Sequence, residues 1–97
     1  MQMSISYHQV DHSKALDKYI NERSESVNRF ISRVKSLNYK KASWVISKRG
    51  KSYVAALNLA GEKFYKSAEE NPFLAVEKVL KKAMSSLRKL KEKRVKH

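Results

Sequence analysis

The most concentrated chemistry in this sequence lies in its last twenty residues. Lys78, Lys81, Lys82, Arg88, Lys89, Lys91, Lys93, Arg94 and Lys96 stand there against a single acid, Glu92. Nine cations against one carboxylate give residues 78–97 a net +8 of the whole chain's +13. Such a surplus attracts a polyanion: nucleic acid, an anionic membrane or an acidic protein. The other reactive residue types do not assemble into a site. His8, His12 and His97 lack metal-ligand spacing. Asp11, His12 and Ser13 are adjacent, and adjacent residues rarely build a triad. There is no cysteine, hence no disulfide, thiolate metal site or cysteine nucleophile. The two glycines, Gly50 and Gly61, are too far apart for a phosphate loop. The expectation is a binding protein, not an enzyme, with no cofactor and no metal.

The elements must present these cations. Ninety-seven residues suit one small domain spanning 1–97. No apolar run approaches the ~20 residues of a membrane span. The start, "MQMSISYHQV", lacks the charged end and apolar block of a secretory signal. With the missing cysteines, this fits a cytoplasmic setting. Met1, Met3, Ile5 and Tyr7 alternate with polar residues, which predicts a half-buried strand. Ser13, or less favourably Asp11, can cap a helix from 14 to about 31. Its apolar face is Leu16, Tyr19, Ile20, Val27, Phe30, Ile31 and Val34. Between Asn21 and Ser26 apolar residues are sparse, so looser packing is expected there.

"YKKASWVIS", "YVAALNLA" and "KFYKSA" read as three strands joined by turns at Gly50 and Gly61. Tyr53, Ala55, Leu57 and Leu59 share a face, and Phe64 opposes Tyr65. Asn71 then caps a second helix, with Pro72 at its first position, where the missing N–H costs nothing. The order β-α-β-β-β-α predicts an α+β fold with two helices on one face of a four-stranded sheet. The other sheet face is left at least partly open to water. This arrangement also suits double-stranded RNA binding, the alternative function.

At ~100° per residue the second helix divides in two. Phe73, Val76, Leu80, Ala83, Met84, Leu87 and Leu90 form a stripe for the sheet, while Lys78, Lys81, Lys82, Arg88, Lys89 and Lys93 fall outside. Soluble helices usually mix signs and gain i,i+4 pairs, and Glu92 is the only acid after Glu77. Nucleic-acid binding is therefore favoured over a merely solvated face. A membrane-surface helix would need its apolar stripe free for lipid. The first helix adds Lys14, Lys18 and Arg29, with Arg33, among Asp17, Glu22 and Glu25. Lys48, Arg49 and Lys51 make a smaller cationic point at a hairpin tip. Trp44, in a predicted strand, is expected in the core.

Three stretches carry a family resemblance over nearly the whole chain: "MQMSISYHQVDHSKAL", "YVAALNLAGEKFYKSAEE" and "NPFLAVEKVLKKAMSSLRKLKEK". The chain resembles the short ribosome hibernation promoting factors and ribosome-associated factor Y, also labelled sigma-54 modulation or ribosomal subunit interface proteins. The resemblance implies binding to 16S rRNA of the small ribosomal subunit, in the channel of mRNA and tRNA, and inhibition of translation in starvation or stationary phase. It places both helices against the rRNA. Lys82, Lys89, Lys91 and Lys93 match basic positions of the family's last helix, and Phe73 matches an aromatic one. Asn71-Pro72, Ser85 and Ser24 depart from the pattern: Ser85 stands where Arg is common, and Ser24 where an aromatic is. The end at His97 resembles the short form, monomeric when free, which favours paired inactive ribosomes together with ribosome modulation factor. Residues 94–97 are expected to form a flexible basic end.

Overall fold

The computed structural model describes residues 2–34 and 39–95, apart from the side chains of 91–95. Its elements are β1 (Gln2–His8), α1 (Lys14–Arg33), β2 (Lys41–Arg49), β3 (Ser52–Leu59), β4 (Lys63–Glu69) and α2 (Pro72–Val95). The order is the one expected from periodicity. The sheet runs β1-β2-β3-β4, with β1 parallel to β2 and the remaining pairs antiparallel. The parallel pair requires the crossover that α1 supplies. Helix α2 continues to Val95, so Arg94 is helical. Lys96 and His97, the rest of the expected flexible end, lie outside the described residues, as does Met1.

Local chemistry sets the helix starts. The Ser13 hydroxyl accepts from the Leu16 N–H at 3.1 Å, so Ser13 is the cap and Asp11 is not. Asn71 Oδ1 accepts from the Phe73 N–H at 2.8 Å, directly ahead of Pro72. Both caps satisfy donors that the helices cannot satisfy internally. Gly50 (φ +62°) makes the β2–β3 turn. At the β3–β4 turn Ala60 (φ +53°) and Gly61 (φ +74°) are both left-handed. The Gly61 N–H donates to Asn58 Oδ1 at 2.8 Å, and the Ala60 N–H to the Lys41 carbonyl at 2.8 Å. These bonds hold Ala60 in a conformation that a Cβ disfavours.

One core lies between the sheet and the helices. Ala42, Trp44 and Ile46 of β2, with Ala55, Leu57 and Leu59 of β3, meet Leu16, Ile20, Val27 and Ile31 of α1. From α2 come Ala75, Val76, Val79, Leu80, Ala83 and Leu87. Trp44 is 1 % exposed, a core residue as expected. Ala75 and Val79 widen the α2 stripe beyond the sequence reading; both are fully buried. In the stretch of α1 expected to be loose, every residue from Asn21 to Ser26 is exposed except one. Ser24, at its centre, is buried, and its hydroxyl has no hydrogen-bond partner. Ser24→Ala should therefore stabilise the fold by about 1 kcal/mol, because it removes a desolvated hydroxyl and improves helix propensity. Urea denaturation would show this as a higher midpoint at an unchanged m-value.

Candidate nucleic-acid interface

Two contacts fix how the helices lie together. Tyr19 packs edge-on against Phe73, with ring centroids 5.1 Å apart. Four residues further along each helix, Arg23 forms an ion pair with Glu77. The pairs 19/73 and 23/77 advance in the same direction, so α1 and α2 run parallel. In this register Arg33 is level with Leu87, and α2 continues past the end of α1.

Glu77 is the centre of this brace. Its Oε1 accepts from the Arg23 side chain and from the Tyr19 hydroxyl, the latter at 2.6 Å. The Arg23 bond, followed by the Tyr19 bond, holds the Glu77 carboxyl down at about 2. Glu77 in turn holds Arg23 more firmly protonated than usual. Burial, then the bond to Glu77, raises the Tyr19 phenol above its ordinary range. Arg23 also lies 5.9 Å from the Tyr19 ring centroid, over its face.

Below this brace the helices part into an open groove of about 690 Å³. Leu80 and Met84 lie along it. Arg23 and Arg29 border it on the α1 side, and Lys81, Arg88 and Lys89 on the α2 side. Glu22, Glu25 and Glu77 are present as well, and Arg29 pairs with Glu25 at 3.3 Å. Lys81, Arg88 and Lys89 are exposed and form no salt bridge among the described residues. Ser85 lies between Lys81 and Lys89 on the α2 wall. Its short side chain leaves the groove open there.

The other flank of α2 faces the edge strand β4. Lys78 pairs with Glu69. Lys82 Nζ donates to the Lys66 carbonyl at 2.8 Å. A cleft of about 600 Å³ runs along this flank, bordered by Lys63, Lys81, Lys82 and Lys89. The sequence-predicted cations thus divide. Lys81, Arg88, Lys89 and Arg29 converge on the groove, while Lys78 and Lys82 turn to the sheet edge. Lys18 is exposed and 3.9 Å from Glu22, and Lys14 is exposed in the first turn of α1. The side chains of Lys91 and Lys93 lie outside the described residues. Sequence reasoning missed Arg23 and Lys63 as members of the surface. Their neighbours come from distant parts of the chain, so no local spacing signalled them.

The sequence itself matches a known family. The profile described as sigma 54 modulation protein / S30EA ribosomal protein matches residues 3–95. The chain belongs to this family. Among solved structures of the same fold is the Protein Y N-terminal domain from Thermus thermophilus, with a TM-score of 0.73 at 14% identity, covering 93% of this chain and 99% of that one. A ribosomal subunit interface protein from Coxiella burnetii gives 0.72 at 15% identity, covering 95% and 99%. Comparison with curated protein sequences finds no match. At these identities the likeness to the solved structures is one of fold. Asn71 caps α2 directly ahead of Pro72, and Ser24 is buried.

The brace makes stability depend on acid. Glu77 titrates near 2 in the fold against an ordinary 4.5. Its contribution is complete above about pH 4.5 and is lost as pH falls through about 2. Glu77→Gln should therefore cost about 1 kcal/mol at neutral pH. The gap between wild type and variant should close by pH 2, and urea midpoints across that range would measure it.

Proposed function

We propose that this protein is a ribosome hibernation factor. It binds 16S rRNA of the small ribosomal subunit in the channel used by mRNA and tRNA, and so halts translation in starvation or stationary phase. The observation that carries this reading is the convergence of Lys81, Arg88, Lys89 and Arg29 on one groove, in a chain of the sigma 54 modulation / S30EA ribosomal protein family. Lys78, Lys82, Lys14 and Lys18 extend the cationic surface, with Lys91 and Lys93 continuing it along the sequence. Binding of rRNA phosphates releases counterions and relieves the repulsion among these groups. The action is occlusion, with no bond made or broken. The working site is the cytoplasm, the free protein is a monomer, and ribosome modulation factor is the partner that would help it pair idle ribosomes.

The test is sedimentation with purified small subunits and whole ribosomes. The wild-type protein should travel with the particles at low salt. A roughly fourfold rise in salt should weaken binding about a hundredfold if four phosphates are contacted. Lys81→Glu combined with Lys89→Glu should stay at the top of the gradient. Both side chains are exposed, so the circular dichroism melt of that variant should match wild type. Wild-type protein that fails to travel at low salt would overturn the proposal. Equal affinity for an isolated RNA duplex would favour a general double-stranded RNA binder.

A further inference from the structure

The sheet face turned away from the helices has its own character. Ser4, Ser43, Asn58 and Phe64 form one row across the four strands, by register. The next row is Ser6, Val45, Ala56 and Lys66. Phe64 is 70 % exposed, the most open large apolar side chain among the described residues. Its strand neighbours of opposite parity, Lys63 and Tyr65, are half-buried on the helix side. Charged strand residues of the open face are Lys41, Arg49 and Lys66, with no carboxylate among them.

Asn58, the register partner of Phe64, borders a shallow hollow of about 400 Å³ together with Lys40, Lys41, Ser43 and the Ala60-Gly61 turn. The Asn58 carbonyl oxygen is occupied by the Gly61 N–H. The amide NH2 of the same side chain remains able to donate. An exposed aromatic, an amide, a hydroxyl and a cation therefore share one sheet face on neighbouring strands.

We infer that Phe64 is a stacking platform for an unpaired RNA base, whose edge reaches Asn58 and Ser43 while its backbone lies near Lys41 and Lys66. Single-stranded RNA is bound in this way on open four-stranded sheets, by stacking on aromatics and hydrogen bonds to base edges. A protein partner needs a wider apolar centre than one exposed phenylalanine among small and polar residues. The surface is also continuous with the cleft at the β4 edge. Lys63 and Lys82 border that cleft, and Lys82 bonds to the main chain of Lys66, two residues from Phe64. A strand whose phosphates follow α2 can thus turn over the edge and lay a base on Phe64. This route rests on the proposed RNA binding by α2.

The experiment uses a short oligouridylate and the full chain. Phe64→Trp places an exposed indole at the platform, while the native Trp44 is buried and silent to it. Saturable quenching of the new indole by the oligouridylate is expected. Phe64→Ala should bind it about tenfold more weakly, with Phe64→Trp near wild type. Oligouridylate binding with unchanged indole emission, or with equal affinity in Phe64→Ala, overturns the platform and leaves ribosome binding by α2 intact. A concentration-dependent dimer that Phe64→Ala abolishes, with RNA affinity unchanged, overturns it in favour of self-association. Failure of the wild type to bind oligouridylate while still sedimenting with small subunits also overturns it. Failure of both assays removes the proposed function as well.

Discussion

Everything on the cationic surface depends on how α2 is seated. Ala75, Val76, Val79, Ala83 and Leu87 are all buried against the sheet and α1. Once that stripe is buried, rotation of the helix about its axis is no longer free, since any turn would drive a lysine into the core. Burial of an unpaired ammonium costs far more than any one methyl contact returns. The apolar side of α2 therefore aims its charged side. Repulsion among the lysines is tolerated because the opposing term, a packed helix stripe, is larger and does not depend on a partner.

The brace at Glu77 adds the second coordinate, the register between helices. One carboxylate serves Arg23 and Tyr19 together, beside the Tyr19–Phe73 ring contact. Charge and aromatic packing thus act at one level of the helix pair, and the groove opens below it. At the C-terminal end of β1, a comparable arrangement ties the first loop. Tyr7 donates to Asp17 Oδ1 at 2.8 Å and to the Ser13 carbonyl at 3.1 Å, and His12 pairs with the same carboxylate. Burial, then the Asp17 bond, raises the Tyr7 phenol to about 12. Both clusters secure α1, which is otherwise joined to its neighbours by apolar contact.

Much of the fold was legible because its signals are local. Period-two alternation marked β1, the 3.6-residue stripe marked α1 and α2, and Ser13 and Asn71 announced the caps. Phe64 and Tyr65 were separated correctly by parity alone. The parallel β1–β2 pairing and the helix register had no local signal, because they join residues about 40 to 60 positions apart. The burial of Ser24 carried no local signal, because a lone serine among exposed polar residues reads as surface. The cationic face was visible as a wheel pattern. Its division between a groove and a strand edge was not, since that depends on what lies beside each flank of α2.

The described molecule is elongated, with principal extents of 47 × 21 × 20 Å. Helix α2 runs past α1 at the end where the sequence concentrates its cations, so the centre of charge is displaced from the centre of mass. A charge set off-centre in this way acts as an electric dipole. In the field of a polyanion the molecule experiences a torque before it makes contact, and arrives with its α2 end leading. The unequal distribution of charge thus selects an orientation of encounter as well as a partner, and the benefit fades as salt shortens the range of the field.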